Sequence, residues 1–395
     1  MKIFAATAIA LLGSTSALAA THTVEAGPDA QERLQTALIE AQPGDTVQIG
    51  AGRFELTDGL SLDVDNVTVR GAGSNATILD FSNQMGAGEG LMVTSNDVVL
   101  RDFAVEDTKG DGIKSKEADR IVYHNIRVEW TRGPHPDNGA YGIYPVESTH
   151  ILVDGVTVIG SSDAGIYVGQ SDQIVVRNSN VQYNVAGIEI ENSHNADVHN
   201  NFVTKNTGGI LVFDLPNLPQ MGGHSTRVFN NLVVDNNTAN FAPAGNIVAS
   251  VPAGMGVMVM ANRNVEITQN IMADNATGNV MLVAYSQDYD DENYNPSPRD
   301  VRVSGNIHGR AGWAPGFPGG DMLAQAMGGS LPPILWDGNG SGIVVSDDVP
   351  VVSLGLTSAS QPRGEAQPSL VELHGETEAT SQAVTLPDSM EAALR

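Results

Sequence analysis

Between Arg132 and Ser148 the chain reads RGPHPDNGAYGIYPVES. A histidine sits between two prolines, next to an Asp-Asn-Gly turn, two tyrosines and a glutamate. These residue types suit removal of a proton from the carbon beside a sugar carboxylate. That reaction needs a cation to neutralise the carboxylate, a base for the proton and an acid to supply one. Lys114 or Arg132 has the charge for the first role, His135 the basicity for the second, and Tyr144 or Tyr167 the hydroxyl for the third. Lys116, Asp137 and Asn138 could bind the sugar around them. The same loop would also serve as a turn, with His135 a turn residue and the tyrosines stacked along a sheet.

A second group is acidic. In GIEIEN, Glu189 and Glu191 alternate along one extended segment, so both face the same side with Cα atoms ~6.6 Å apart. With Asp163 they offer carboxylate oxygens for calcium. They also overlap the separation of an acid/base pair that inverts a glycosidic bond. A solvated acidic surface is the alternative.

For such groups to meet, the chain must bring distant segments into line, and its periodicity does so. VVLRDFAV from Val98, IVYHNIRV from Ile121, ILVDGVTV from Ile151 and IVVRNSNV from Ile174 repeat one pattern. ADVHNNFV from Ala196, TRVFNNLV from Thr226 and VEITQNIM from Val265 continue it, with steps of 23, 30, 23, 22, 30 and 39 residues. A second motif runs in phase: GIKS, GIYP, GIYV, GIEI and GILV, from Gly112, Gly142, Gly165, Gly187 and Gly209. Alternation with period two makes these strands. A unit of 22 or 23 residues with occasional insertions predicts stacked coils of three short strands each.

The expected fold is therefore all-β, a single-stranded parallel β-helix, whose right hand is what the family resemblance given below implies. Turn asparagines Asn125, Asn178, Asn200 and Asn230 are expected to stack as an amide ladder. Two outward columns follow from the alternation. One holds Lys114, Tyr144, Tyr167, Glu189 and Leu211; the other holds Lys116, Val146, Gly169, Glu191 and Phe213. With coils ~4.8 Å apart, each rung matches about one sugar unit of a linear polysaccharide.

The ends read differently. MKIFAATAIALLGSTSALAA has a basic start, an apolar stretch and a small-x-small site, which predicts a signal peptide over 1–19 and export. AQERLQTALIEA puts Leu34, Ala37, Leu38 and Ala41 on one helical face, a cap for the first coil. The β-helix is expected over 20–310, a cap with irregular strands over 311–354, and a flexible acidic tail over 355–395. The outward Leu211, Phe213 and Leu215 form an apolar strip that the following Pro-rich loop is expected to cover, a docking surface being the alternative.

Composition narrows the partners. With 20 Lys+Arg against 46 Asp+Glu the net charge is -26, which opposes binding to nucleic acid or an anionic membrane. No cysteine is present, so disulfides are excluded. The histidines have no zinc-ligand spacing.

NGAYGIYPVEST, SDAGIYVGQSD, YNVAGIEIENS and NTGGILVFDLPNLPQMGGH closely resemble an exported bacterial family of parallel β-helix repeat proteins. The resemblance runs from about Val24 to Arg310 and implies the pectate-lyase-like right-handed β-helix superfamily. It also implies pairing with an exported cytochrome-c-like protein. More distantly the coils resemble periplasmic mannuronan C5-epimerases, whose Asp-Pro-His-Asp loop corresponds here to Gly133-Pro134-His135-Pro136-Asp137. Pro134 and His135 match, Gly133 replaces the first aspartate, and Asp137 is shifted by one. The expected function is carbohydrate-directed, a lyase or C5-epimerase on uronate polymers, with a non-catalytic binding or scaffold module as the alternative.

Overall fold

A computed structural model describes residues 19–395, except 87, 362–364 and 378. The expected signal peptide therefore lies, apart from residue 19, outside the described residues. Three long sheets of 12, 12 and 10 strands wrap one core. Every pairing between successive coils is parallel; the strand Ser369–Val371 alone pairs antiparallel, on Val351–Ser353. The chain is a parallel β-helix.

The alternation seen in the sequence explains the core. Ile113, Ile143, Ile166, Ile188 and Ile210 are paired rung to rung in one sheet and are fully buried. Ile121, Ile151 and Ile174 do the same in a second sheet. Each Ile or Val so buried contributes about 1.5–3 kcal/mol of transfer free energy. The helix Ala30–Glu40 closes the first coil by burying Leu34, Ala37 and Leu38, with Ala41 buried just beyond it.

The asparagine ladder exists, one residue further along than expected. Asn125, Asn178, Asn200 and Asn230 have φ of 50 to 57°, a left-handed turn that Asn tolerates and most residues do not. The last three are exposed. The following residue points inward and carries the stack. The Asn201 amide donates to Asn231 Oδ1 at 3.0 Å, Asn231 to Asn270 Oδ1 at 2.9 Å, and Asn270 to Asn306 Oδ1 at 3.0 Å. A parallel ladder joins Asn184, Asn206, Asn236 and Asn275. Each rung satisfies turn backbone that its own coil leaves open.

The far end differs from a free acidic tail. Residues 380–395 run back along the outside of the sheet that contains Ile121, Ile151 and Ile174. Ser381 N donates to Glu266 and Val384 N to Asp197. The helix Asp388–Ala392 then seats Met390, with Leu386, on Val122, Leu152 and Val175. Arg177 grips Glu391 with two bonds of 3.0 and 2.7 Å. Outward apolar residues on that sheet supplied the seat, and the chain's own end fills it.

Candidate functional site

The strand repeat places the expected column as written. Lys114 pairs with Tyr144, Tyr167 with Glu189, and Glu189 with Leu211, on neighbouring rungs. Ile143 opposite Ile166 fixes Tyr144 beside Tyr167. Exposure changes along this line. Lys114 and Tyr144 are half-buried, whereas Tyr167 is 4%, Glu189 1% and Glu191 8% exposed. The two glutamates are thus not a solvated acidic face.

Two insertions cause the burial. The loop after Phe213 brings Leu215 over the sheet, and the long excursion between Val234 and Met255 brings a short helix, Ile247–Ser250, over the same spot. Leu211 and Phe213 are fully buried beneath them, so the apolar strip is covered rather than exposed as a docking surface. What remains is a cleft of about 250 Å³ lined by Tyr141, Asp163, Glu189, Glu191, Leu215, Asn246, Ile247 and Val248.

Burial dominates the electrostatics there. It lifts Asp163 to about 7, with the Glu191 charge adding to the lift, while Asn246 and Tyr141 hydrogen bonds pull the other way. Burial likewise lifts Glu191 to about 7, held back by Tyr167 and pushed further by Asp214. Burial, with the charges of Glu191 and then Asp163 adding to it, holds Glu189 well above the usual carboxylate range. Desolvation and like charge both disfavour ionising these acids. Tyr167 donates to Glu191 Oε1 at 2.6 Å, and Asn246 Nδ2 donates to Asp163 Oδ2 at 3.2 Å. Glu189 Oε2 is buried with no hydrogen-bond partner among the described residues.

Three tyrosines adjoin the acids. The Tyr141 ring lies 4.5 Å from those of Tyr144 and Tyr167, and Tyr144 meets Tyr167 edge-on at 5.0 Å. Burial pushes the hydroxyls of Tyr141 and Tyr167 far up and that of Tyr144 to about 12. Tyr141 and Tyr167 act as hydrogen-bond donors here, to Asp163 and Glu191, rather than as bases. Lys114 Nζ lies 4.6 Å from the Tyr144 ring centre and 3.5 Å from Glu89. Next to it Asp111, also desolvated, is lifted to about 6. Lys116 points to Glu117 and Glu147.

The opening loop is a self-contained turn. His135, with 45% of its side chain exposed, has Nδ1 accepting from Asp137 N at 3.1 Å. Arg132 donates to the Asp137 carbonyl, and both are exposed. None of the three lines the cleft. Asn138, expected at the sugar, is 5% exposed and ties Gly133 O to Gly160 O at 2.8 and 2.6 Å. Its Nδ2 is thus engaged in holding the turn, while its Oδ1 is buried with no hydrogen-bond partner among the described residues. Asp163, Glu189 and Glu191 do share the cleft, but no group of three or more His, Asp or Glu among the described residues is arranged to hold a metal ion. Within the cleft Glu191 accepts from Tyr167 and Asp163 from Asn246.

Tyr141 and Asn246 were not singled out by sequence reasoning. Tyr141 begins its strand one residue before the Gly142 motif and three before the column residue Tyr144, and Asn246 arrives from an aperiodic insertion. The only signal for the latter was the 39-residue step between the repeats at Thr226 and Val265.

Residues 57–218 match the family model described as right handed beta helix region. No curated protein matches the sequence. An alginate lyase from Paenibacillus sp. str. FPU-7 aligns in structure with a TM-score of 0.51 at 17% identity, over 74% of this chain and 97% of that one. The A-module of a mannuronan C-5 epimerase, AlgE6, from Azotobacter vinelandii gives 0.52 at 16% identity, over 82% and 93%. A DFA-IIIase from Arthrobacter chlorophenolicus A6 without its lid gives 0.55 at 11% identity, over 86% and 96%. These likenesses, the matched region and the three parallel sheets agree on one architecture: the chain has the fold of a right-handed parallel β-helix.

Proposed function

We propose that the protein is an exported, carbohydrate-directed enzyme that cleaves a glycosidic bond by acid–base chemistry in the Asp163–Glu189–Glu191 cleft. The observation that carries this reading is a set of three carboxyls pushed toward neutrality at one cleft, with Asp163 and Glu191 at about 7. Acids so tuned hold a proton near neutral pH and can still exchange it. Glu189, kept protonated by burial, would give its proton to the leaving glycosidic oxygen. Glu191, released by Tyr167, would take a proton from water, whose hydroxyl attacks the anomeric carbon as the carbon–oxygen bond breaks. The products are two hydroxyl-ended sugars, and water is consumed.

The lining has no lysine or arginine. A uronate carboxylate would face three acids there, so a neutral sugar at the cleavage point fits better. The β-helix neighbours named above include an alginate lyase and an epimerase, which supports a glycan as partner.

A second reading keeps uronate polymers as substrate, by elimination or C5 epimerisation. It is favoured by Lys114, stacked over Tyr144 on the same column, with His135 as the base.

Incubating the purified mature protein with neutral glycans, alginate and pectate, each with and without calcium, separates these readings. New reducing ends from a neutral glycan, lost in Glu191→Gln, support hydrolysis. Unsaturated products absorbing in the ultraviolet, or epimerised polymer by NMR, would support the second reading and overturn the first. No product from any polymer would remove both and leave a binding or scaffold role, including the cytochrome-c-like partner implied by the family resemblance.

A further inference from the structure

Following the outward column from the N-terminal coils, Ser61 is exposed, Met92, Lys114 and Tyr144 are half-buried, and Tyr167 and Glu189 are 4% and 1% exposed. The next rung, Leu211, is fully buried under the covering loops, and Met258 beyond it is 8% exposed. Register makes these one continuous line of neighbours. It is open at one end and walled at the other.

We propose that the cleft accepts the end of a glycan chain rather than its interior. This rests on the hydrolytic reading above and adds the mode of attack. A chain threading past the acids would need the space that Leu211, Leu215, Val248 and Val251 fill as one apolar cluster. A chain entering from the N-terminal side meets no such wall. Its terminal unit reaches Glu189 and Glu191, and the units behind it lie over Tyr144, Lys114, Met92 and Ser61.

The open run has a length. Five intervals separate Glu189 from Ser61, which at ~4.8 Å each is roughly 24 Å, about five sugar units. KM should therefore fall with oligosaccharide length up to about five units and then level off. Tyr144, two rungs from Glu189 with its half-buried ring on that path, is a platform against which the third unit packs. Stacking on an aromatic ring of this kind corresponds to roughly a three- to tenfold effect.

The test uses the full mature chain on whichever neutral glycan it turns over. The inference expects mono- or disaccharide from the first minutes, with the viscosity of the polymer almost unchanged. It expects Tyr144→Ala to raise KM three- to tenfold for pentamers while leaving dimers unaffected. A double variant, Ile247→Gly with Val248→Gly, thins the wall; release of internal fragments should rise about tenfold relative to monosaccharide. Should that variant misfold, as its thermal transition would reveal, the Tyr144→Ala length dependence remains the deciding readout. Early internal fragments and a rapid viscosity drop with the wild-type protein would overturn the chain-end mode while leaving hydrolysis standing. Absence of turnover on every glycan would overturn both.

Discussion

Replacing Glu191 by Gln keeps the shape of the side chain and the acceptor for Tyr167 while removing the charge. In the folded protein this carboxyl titrates at about 7, against 4.5 for an ordinary glutamate, because it is buried and Asp214 lies near. Between pH 4.5 and 7 the folded form thus binds more protons than the unfolded chain, so stability falls as pH rises through that window. Below pH 4.5 both forms are protonated and the group costs nothing. Above 7 the full cost applies, and 2.5 pH units correspond to about 3 kcal/mol. Glu191→Gln removes that cost. At pH 8.5 the variant should be the more stable protein by about 3 kcal/mol, or roughly 5 °C in Tm; at pH 4.5 the two should melt together. Thermal unfolding followed by circular dichroism at both pH values measures this. An equal shift at the two pH values, or a variant that melts earlier at pH 8.5, would refute the placement of a strained, desolvated carboxyl in the cleft.

Further outcomes follow from other contacts. Tyr167→Phe removes the 2.6 Å donor that holds Glu191 down, so the limb of the pH–rate profile set by Glu191 should move upward by about one unit, since hydrogen bonds to charged groups are worth about 1.5–3 kcal/mol; a downward shift would contradict it. Asn231→Leu breaks the ladder on both sides and strands buried amides at about 1–3 kcal/mol each, so it should cost at least 3 kcal/mol in denaturant unfolding. Met390→Asp places a charge on Val122, Leu152 and Val175; residues 380–395 should become cleavable by a protease at concentrations that spare the wild-type chain. His135→Ala, at an exposed turn, should change turnover less than twofold, and abolition of turnover would favour the elimination or epimerisation reading.

Much of the scaffold was readable because its rule is local. Period two within a strand fixes which residues face in, and the 22- or 23-residue step fixes which ones stack. Lys114, Tyr144, Tyr167 and Glu189 could be aligned before any coordinates. The ladder was misplaced by one residue because αL geometry turns Asn200 and Asn230 outward and their neighbours Asn201 and Asn231 inward, and composition alone does not distinguish them. The cleft was harder. Its walls come from Leu215 and from residues 246–248, in insertions that obey no period, and those walls turn two surface glutamates into buried acids. The same held for the C-terminal segment. Its polar sequence reads as a tail, yet Leu386 and Met390 find an apolar seat that only the folded sheet creates.

The most direct test is a carboxyl titration by NMR of the full chain labelled with ¹³C at Asp and Glu side chains. The account predicts that the resonances lost or shifted in Asp163→Asn and Glu191→Gln titrate near pH 7, and that Glu189 stays protonated beyond them. If all three instead ionise below pH 5, the cleft holds three ordinary carboxylates, and the acid–base function built on it is wrong.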